Sequence, residues 1–187
     1  IIKDLTPISP IYGYRRTENR FRHYEKLSRM PQGFIVMGDA ACGFNPLYGQ
    51  GMTAAAIEAI ELDKLLQQTN IHDLGDFSLK FQKQLAKAVN GAWLMATGED
   101  MRYPETEGAT PTFTDRLTHH YLDIMTDVMP NDTTLSNAFT DIMNLTKHPV
   151  SLFHPKIVMH VLYRRLFDQK TRSIAQPTID LSATQTI

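Results

Sequence analysis

Asp39 is the residue in this chain whose neighbours best equip it to meet a ligand. It ends the apolar run Phe34, Ile35, Val36, Met37, Gly38, and behind it come Asn45, Pro46, Gly49 and Gly51. The run fits a short buried strand, and the loop residues permit a tight turn and a close approach by another molecule. The Ala-rich segment 52–67 is a strong helix former, so the order is strand, Gly-rich loop, helix N-terminus. A first helical turn leaves its backbone N–H groups unpaired, and the aligned peptide dipoles put partial positive charge there. Gly49 and Gly51 carry no side chain to hold a ligand off those donors, while Asp39 supplies a carboxylate acceptor for a sugar-like hydroxyl. The combination suits a polyol phosphate or an electron-rich ring. A Gly-rich loop between strand and helix also occurs in any α/β protein, and spacing leaves both readings open.

Several further elements are needed to hold such a loop. Residues 1–14, with Pro7, Pro10 and Gly13 among β-branched and aromatic residues, read as strand and turn. Residues 15–29 set Arg15, Arg16, Arg20, Arg22, Lys26 and Arg29 against Glu18 and Glu25; this is either a solvated surface or a basic patch for a phosphate or acidic substrate. Met30-Pro31-Gln32-Gly33 supplies a turn. Beyond the 52–67 helix, Asp76 is placed to cap a helix over 77–95, whose Phe77, Phe81, Leu85, Ala88, Ala92 and Ala96 form a stripe fit for burial. Trp93 beside it reads as a core or interface residue. Glu99, Asp100 and Arg102 follow, as a local ion pair or cap, or as contacts to a ligand.

The remainder reads as helical. Phe113, Leu117, Tyr121, Ile124 and Val128 keep helical spacing up to Met129-Pro130. Leu135, Phe139, Ile142, Met143 and Leu145 do so after a cap at Asp132 or Thr133. Pro155 opens a last helix carrying Ile157, Val158, Val161, Leu162 and Leu166, with Arg164, Arg165 and Lys170 near its end. These apolar stripes read as core, and the polar residues 176–187 as a tail. The expected fold class is mainly α (α+β): a helical C-terminal region after a short strand and Gly-rich loop. The expected divisions are 1–33, 34–103, 104–175 and 176–187.

Composition narrows the function classes. The chain has 187 residues and a formal net charge of -1, with a pI near 6.7, so nothing draws it to nucleic acid or to an anionic membrane. Cys42 is its only cysteine, which excludes an internal disulfide and a Cys-rich zinc site and suits a reducing compartment. No run is apolar enough to span a bilayer, and a soluble, cytoplasmic protein is expected. The seven histidines lack metal-ligand spacing: His119 and His120 are adjacent, and no H-E-x-x-H occurs. No G-x-S-x-G elbow supports a serine hydrolase.

The run G-D-A-A-C-G-F-N-P-L-Y-G-Q-G-M-T resembles the second flavin fingerprint of FAD-dependent monooxygenases with the para-hydroxybenzoate hydroxylase fold. Gly38, Asp39, Ala40, Ala41, Pro46, Gly49, Gly51 and Met52 stand in register, and Glu58-Ala59 takes the place of the usual Asp-Ala. Cys42 stands where His is common, and Thr53 where Asn is common. The resemblance implies that Asp39 holds a ribityl hydroxyl of FAD and that the loop and helix start, from Pro46 through Gln50 to Thr53, lie against the isoalloxazine edge and the pyrophosphate. The implied cofactor contacts are thus Gly38, Asp39, Ala40, Pro46, Gly49, Gln50, Gly51, Met52 and Thr53. Residues 93–104 are also similar to a W-x-x-A-T-x-E-D-x-R-x-P segment that closes the cofactor domain in part of the same superfamily.

No G-x-G-x-x-G follows a strand, so the first fingerprint of that family, which holds the adenosine and diphosphate half, is absent. The resemblance therefore implies the C-terminal portion of a longer FAD-dependent oxidoreductase, inactive by itself and partnered by a missing N-terminal FAD-binding half. In such an enzyme the flavin carries the chemistry, so no catalytic side chain is named. NAD(P)H as reductant, a small-molecule substrate and a homodimer contact through the helical region are expectations of the same kind. Two alternatives remain: a flavin reductase acting on a polyprenyl or other lipid-like chain, and a non-catalytic helical interaction module.

Overall fold

The structure, a computed structural model of the chain, describes residues 6, 8–10, 12–13, 17–70 and 74–167. The strand and turn expected over residues 1–14, Arg15, Arg16, Lys170 and the tail 176–187 lie wholly or largely outside the described residues. The fold is mainly α, as expected. The chain divides into two compact units, residues 1–106 and 107–187.

In the first unit β1 (Arg20–Phe21) pairs antiparallel with β2 (Cys42–Gly43), Arg20 opposite Gly43 and Phe21 opposite Cys42. Two helices follow, α1 (Gly51–Gln67) and α2 (Phe77–Asp100), packed on each other. Helix α1 buries Ala54, Glu58 and Leu65, and α2 buries Phe77, Phe81, Leu85, Val89, Ala92 and Ala96, at spacings of three and four that keep them on one side. Val36, Ala41 and Cys42 join that core, and Trp93 packs at its edge with its ring 5.5 Å from Phe21.

Three expectations fail in this unit. Residues 34–37 form no strand, and Phe34 is 54% exposed. A strand is defined by its neighbours, and among the described residues no backbone ladder adjoins this run; the carbonyl of Val36 instead accepts from Gln82 Nε2 at 2.9 Å. Asp76 makes no capping hydrogen bond: its backbone, at φ -111° and ψ 8°, lies outside the extended conformation of a capping residue, and its carboxylate pairs with Lys80 at 3.0 Å. Helix α2 also runs five residues past Met95, through Gly98, to Asp100.

The second unit holds α3 (Phe113–Val128), α4 (Thr133–Met143) and α5 (Pro155–Phe167). Thr112 and Asp115 form a reciprocal capping box on α3. Asp132 caps α4 by accepting from the N–H groups of Thr134 and Leu135, each at 3.0 Å. Its core is Met125, Val128, Leu135, Ile142, Leu152 and Val161. The apolar stripes are not all core: Phe113, Leu117, Leu162 and Leu166 are exposed. Helix α5 is apolar on two opposite faces, and among the described residues the side bearing Val161 is the buried one.

Candidate functional site

The Gly38–Asp39–Ala40 segment is one turn of 3-10 helix, entered from extended backbone at Met37. Gly38 has φ +58°, a conformation that a side chain resists. Its N–H donates to Glu58 Oε2 at 2.6 Å, so the turn is bolted to the middle of α1. Glu58 is fully buried, and its other oxygen, Oε1, is buried without a hydrogen-bond partner. Burial pushes the Glu58 carboxyl above its ordinary range; the Gly38 N–H opposes the shift and the Asp39 charge adds to it. Below the turn, burial and then the charges of Glu58 and Asp39 push the Cys42 thiol up to about 12.

Asp39 itself is exposed, and its carboxylate takes no hydrogen bond among the described residues. A Cβ placed on Gly51 would lie 3.9 Å from Asp39 Oδ1. The carboxylate therefore stands beside the first residue of α1, and glycine at 51 keeps the space between them open. The N-cap residue Gln50 makes no side-chain capping bond, and among the described residues the first-turn N–H groups of Gly51, Met52 and Thr53 remain available to a ligand.

The second turn, Pro46–Tyr48, is capped by Asn45, whose side chain accepts from the N–H of Leu47 at 3.1 Å. It closes at Gly49 with φ +65°, where nothing stands within 4 Å of a Cβ position. A polar network fixes this turn. Asp100, the last residue of α2, accepts from Tyr48 Oη at 2.5 Å through Oδ1 and from Asn19 Nδ2 through Oδ2. Asn19 Oδ1 in turn accepts from the N–H of Asn45 at 2.8 Å. Burial, followed by the bond to Asp100, raises the Tyr48 hydroxyl above its ordinary value.

The structure thus gathers Asp39, Pro46 and Gly51: Asp39 and Pro46 line one concavity of about 80 Å³, and Asp39 and Gly51 adjoin. Ala40 is exposed, and its carbonyl is turned to Arg22. Met52, 88% exposed, and Thr53 lie on the surface of the first turn of α1, whereas Gln50 is buried just before it. The exposed atoms offer an acceptor at Asp39, donors at the helix start and an apolar surface at Met52 and Leu47. They can hold a hydroxylated chain and one face of a planar ring.

Sequence reading places Glu58 in the fingerprint and Arg22 and Asp100 in charged runs, but it does not give the partners through which these three residues position the site. Glu58 is the sole acid among Ala54, Ala55, Ala56, Ile57, Ala59 and Ile60, an isolated charge in an apolar stretch that signals a buried partner. Asp100 reads from the sequence as part of a local ion pair or cap, or as a ligand contact; Glu99 does pair locally with Arg102 at 2.8 Å, but Asp100 reaches Tyr48. Arg22 donates through Nη1 to the carbonyls of Asp39 and Ala40, at 3.2 and 3.1 Å. Nothing in the sequence separates it from the other arginines of its run. Among the described residues no group of three or more His, Cys, Asp or Glu could hold a metal ion, and no helix is long and apolar enough to cross a membrane.

No protein-family model matches the chain. It is similar to protein Rv3254 of Mycobacterium tuberculosis, 35% identical over 85 residues, which cover 46% of this chain and 18% of that protein. The chain thus matches well under two thirds of the length of this relative.

Proposed function

We propose that this chain supplies the ribityl- and ring-side contacts of an FAD-dependent oxidoreductase of the monooxygenase type, whose adenosine-binding half is contributed by further polypeptide. The observation that carries the reading is the Asp39 carboxylate, without a hydrogen-bond partner among the described residues, held beside the glycine-opened start of α1, whose N-cap residue makes no side-chain capping bond. The residues present fit such a group: glycine at 51 leaves room where a Cβ would face Asp39, and glycine at 49 leaves its surroundings clear. Asp39 would accept from a ribityl hydroxyl, the N–H groups of residues 51–53 would donate to electron-rich oxygen, and Met52 would offer its side chain to the ring. Glu58 and Asp100 would keep the two turns in place. Bound flavin supplies the redox chemistry, with NAD(P)H as the reductant and a small molecule as substrate. A cytoplasmic location agrees with this reading.

The test is the visible flavin spectrum of the chain extended by its upstream polypeptide. That protein should purify yellow or take up FAD, and Asp39→Ala should weaken binding about tenfold or more, the scale of one hydrogen bond to a charged group. An extended protein with no affinity for FAD would end the oxidoreductase reading; unchanged affinity in the variant would end the role of Asp39.

A second reading, a helical interaction module, is favoured by the outer face of α5. Met159, Leu162, Tyr163, Leu166 and Phe167 are exposed at spacings that place them side by side. A homodimer through this face would be lost on Leu166→Glu, as read by light scattering; an unchanged mass would remove α5 from any such contact.

A further inference from the structure

Between Asp76 and Glu99 the chain has no acidic residue, yet it carries Lys80, Lys83 and Lys87. Lys80 is neutralised by Asp76 at 3.0 Å. Lys83 and Lys87 have no acid three or four residues away on α2, are exposed, and take no ion pair among the described residues. Like charges four residues apart on a helix repel each other, so this stretch of α2 carries a strain that α1 avoids by pairing Lys64 with Glu61 at 2.7 Å. An anion arriving from outside relieves it. The whole chain has a formal charge of -1, so the unopposed pair is a local feature and not part of a generally basic surface.

Both lysines open on the same space. Lys83, Ala86, Lys87 and Asn90, at helical spacings of three and four, form one wall of a concavity of about 430 Å³. Glu25, from the 3-10 turn Tyr24–Lys26 that packs on α2, forms another. It does not neutralise the lysines: its Oε1 stands 2.7 Å from His23 Nδ1, and among the described residues no ion pair joins it to Lys83 or Lys87. His23 is itself positioned by Phe21, whose ring centre lies 4.4 Å from its own. The charged run 15–29 is thus divided by the fold. Arg20 and Arg22 turn to Glu18 and to the Gly38–Ala40 turn, while Glu25 lines a separate trough on α2.

The walls decide what such a trough can hold. Small-molecule pockets are lined mainly by apolar and aromatic side chains, and here Ala86 is the one apolar wall residue among the described residues. A flat membrane surface does not enter a concavity, and nucleic acid is held through more phosphate contacts than two lysines supply. Lys83 and Lys87 are separated by ~6 Å along the helix axis, at about 1.5 Å per residue. That spacing matches two carboxylates four residues apart on another helix, or two residues apart on an extended chain at about 3.3 Å per residue.

We propose that this trough docks an acidic segment of another polypeptide, two of whose carboxylates, about 6 Å apart, meet Lys83 and Lys87. The docking site shares no residue with the loop 38–53 and does not depend on the flavin reading.

The experiment titrates the 187-residue chain with two alanine-rich helical peptides of identical composition, following the amide resonances of residues 83–90. One peptide carries two glutamates four residues apart, on one face; the other carries them two residues apart, on opposite sides. The first should bind about three- to fivefold more tightly, the worth of one further exposed ion pair, and rising ionic strength should weaken it. Lys83→Gln and Lys87→Gln place a good helix former at an exposed position, so the melting temperature should hold, and each should bring the first peptide down to the affinity of the second. Equal binding of the two peptides, or tight binding of the first that survives both substitutions, would overturn the docking site. Inorganic phosphate bound as tightly as the first peptide would replace the acidic segment by a free anion, and tighter binding of single-stranded oligothymidylate would replace it by nucleic acid. Resonances of residues 83–90 that stay still with every probe would overturn the site altogether.

Discussion

The backbone N–H of Gly38 donates to Glu58 Oε2 at 2.6 Å across 20 residues of chain, and this bond joins the candidate ligand turn to α1. Gly38 sits at φ +58°, so the bond holds a conformation that the chain does not adopt by default. Glu58→Ala removes the acceptor and leaves the N–H without a partner, and stability should fall by about 1–3 kcal/mol from that loss, plus a contribution from the space left behind. Glu58→Gln keeps an oxygen acceptor at the same reach and should retain most of the stability. Urea denaturation of the two variants checks this; equal losses would show that the hydrogen bond to Gly38 contributes little.

The same carboxyl sets a pH dependence whose sign follows from its burial. Its folded pKa lies above the unfolded value of about 4.3, so between those two values the folded chain holds more protons than the unfolded one. The contribution of Glu58 to stability is then complete below the unfolded pKa and declines as pH rises toward the folded one. Glu58→Gln removes the titrating group, so the difference in unfolding free energy between wild type and variant should change across that window and be flat below it. Denaturation midpoints measured as a function of pH test the expectation. A difference that stays constant with pH would contradict it.

Tyr48 and Asp100 tie the second turn to the end of α2. Tyr48→Phe removes the hydroxyl and leaves Asp100 Oδ1 without that donor, while the ring keeps its packing. The expected loss is about 1–3 kcal/mol at a part-buried charged acceptor, confined to the turn. Amide hydrogen exchange should quicken over residues 45–49 and stay unchanged in the α2 interior. Uniform exchange across both would remove Asp100 from the role of holding the turn.

Sequence spacing carried the helices further than it carried the site. The stripe Phe77, Phe81, Leu85 and Ala92 marks α2 because a helix's own periodicity decides which side faces the core. Residues 34–37 show the converse: an apolar run becomes a strand only if another strand adjoins it, and that depends on chain far away in sequence. Gly38, Asp39, Gly49 and Gly51 stood out because backbone conformation and close approach demand particular residue types. Arg22 and Asp100 did not stand out, since their function lies in long-range partners, a carbonyl 17 residues on for Arg22 and a hydroxyl 52 residues back for Asp100, which no local pattern encodes.

Asp132 serves two ends of the second unit. It caps α4 and its Oδ2 stands 2.7 Å from His160 Nε2 and 3.1 Å from Arg164 Nε on α5. Burial pushes its carboxyl up, but the Leu135 N–H, His160 and Arg164 outweigh burial and hold it below its ordinary range. A depressed folded pKa means that the stabilisation is present above the unfolded value of about 3.9 and is lost as pH falls through the folded one. Asp132→Ala should lower stability by about 1–2 kcal/mol for the cap alone at neutral pH, and the deficit should shrink in acid. Thermal melts at neutral and acid pH measure both; a deficit independent of pH would mean that the charge plays no part.

Cys42 lies 2% exposed under the Gly38–Ala40 turn, where burial and then the charges of Glu58 and Asp39 push its thiol up to about 12. Only the thiolate attacks an alkylating reagent, so the native chain should resist iodoacetamide at mildly alkaline pH and react once unfolded. Burial is the leading cause of the shift, so Glu58→Gln, which removes one neighbouring charge, should leave the native thiol nearly as inert. Glu58→Ala should not, because a turn released from α1 opens the path to the sulfur. The alkylation rate of each variant, followed by mass and compared with its global unfolding rate, separates local opening from unfolding. Alkylation of Glu58→Ala no faster than that of wild type, at equal unfolding rates, would show that the Gly38–Glu58 bond does not guard this cysteine.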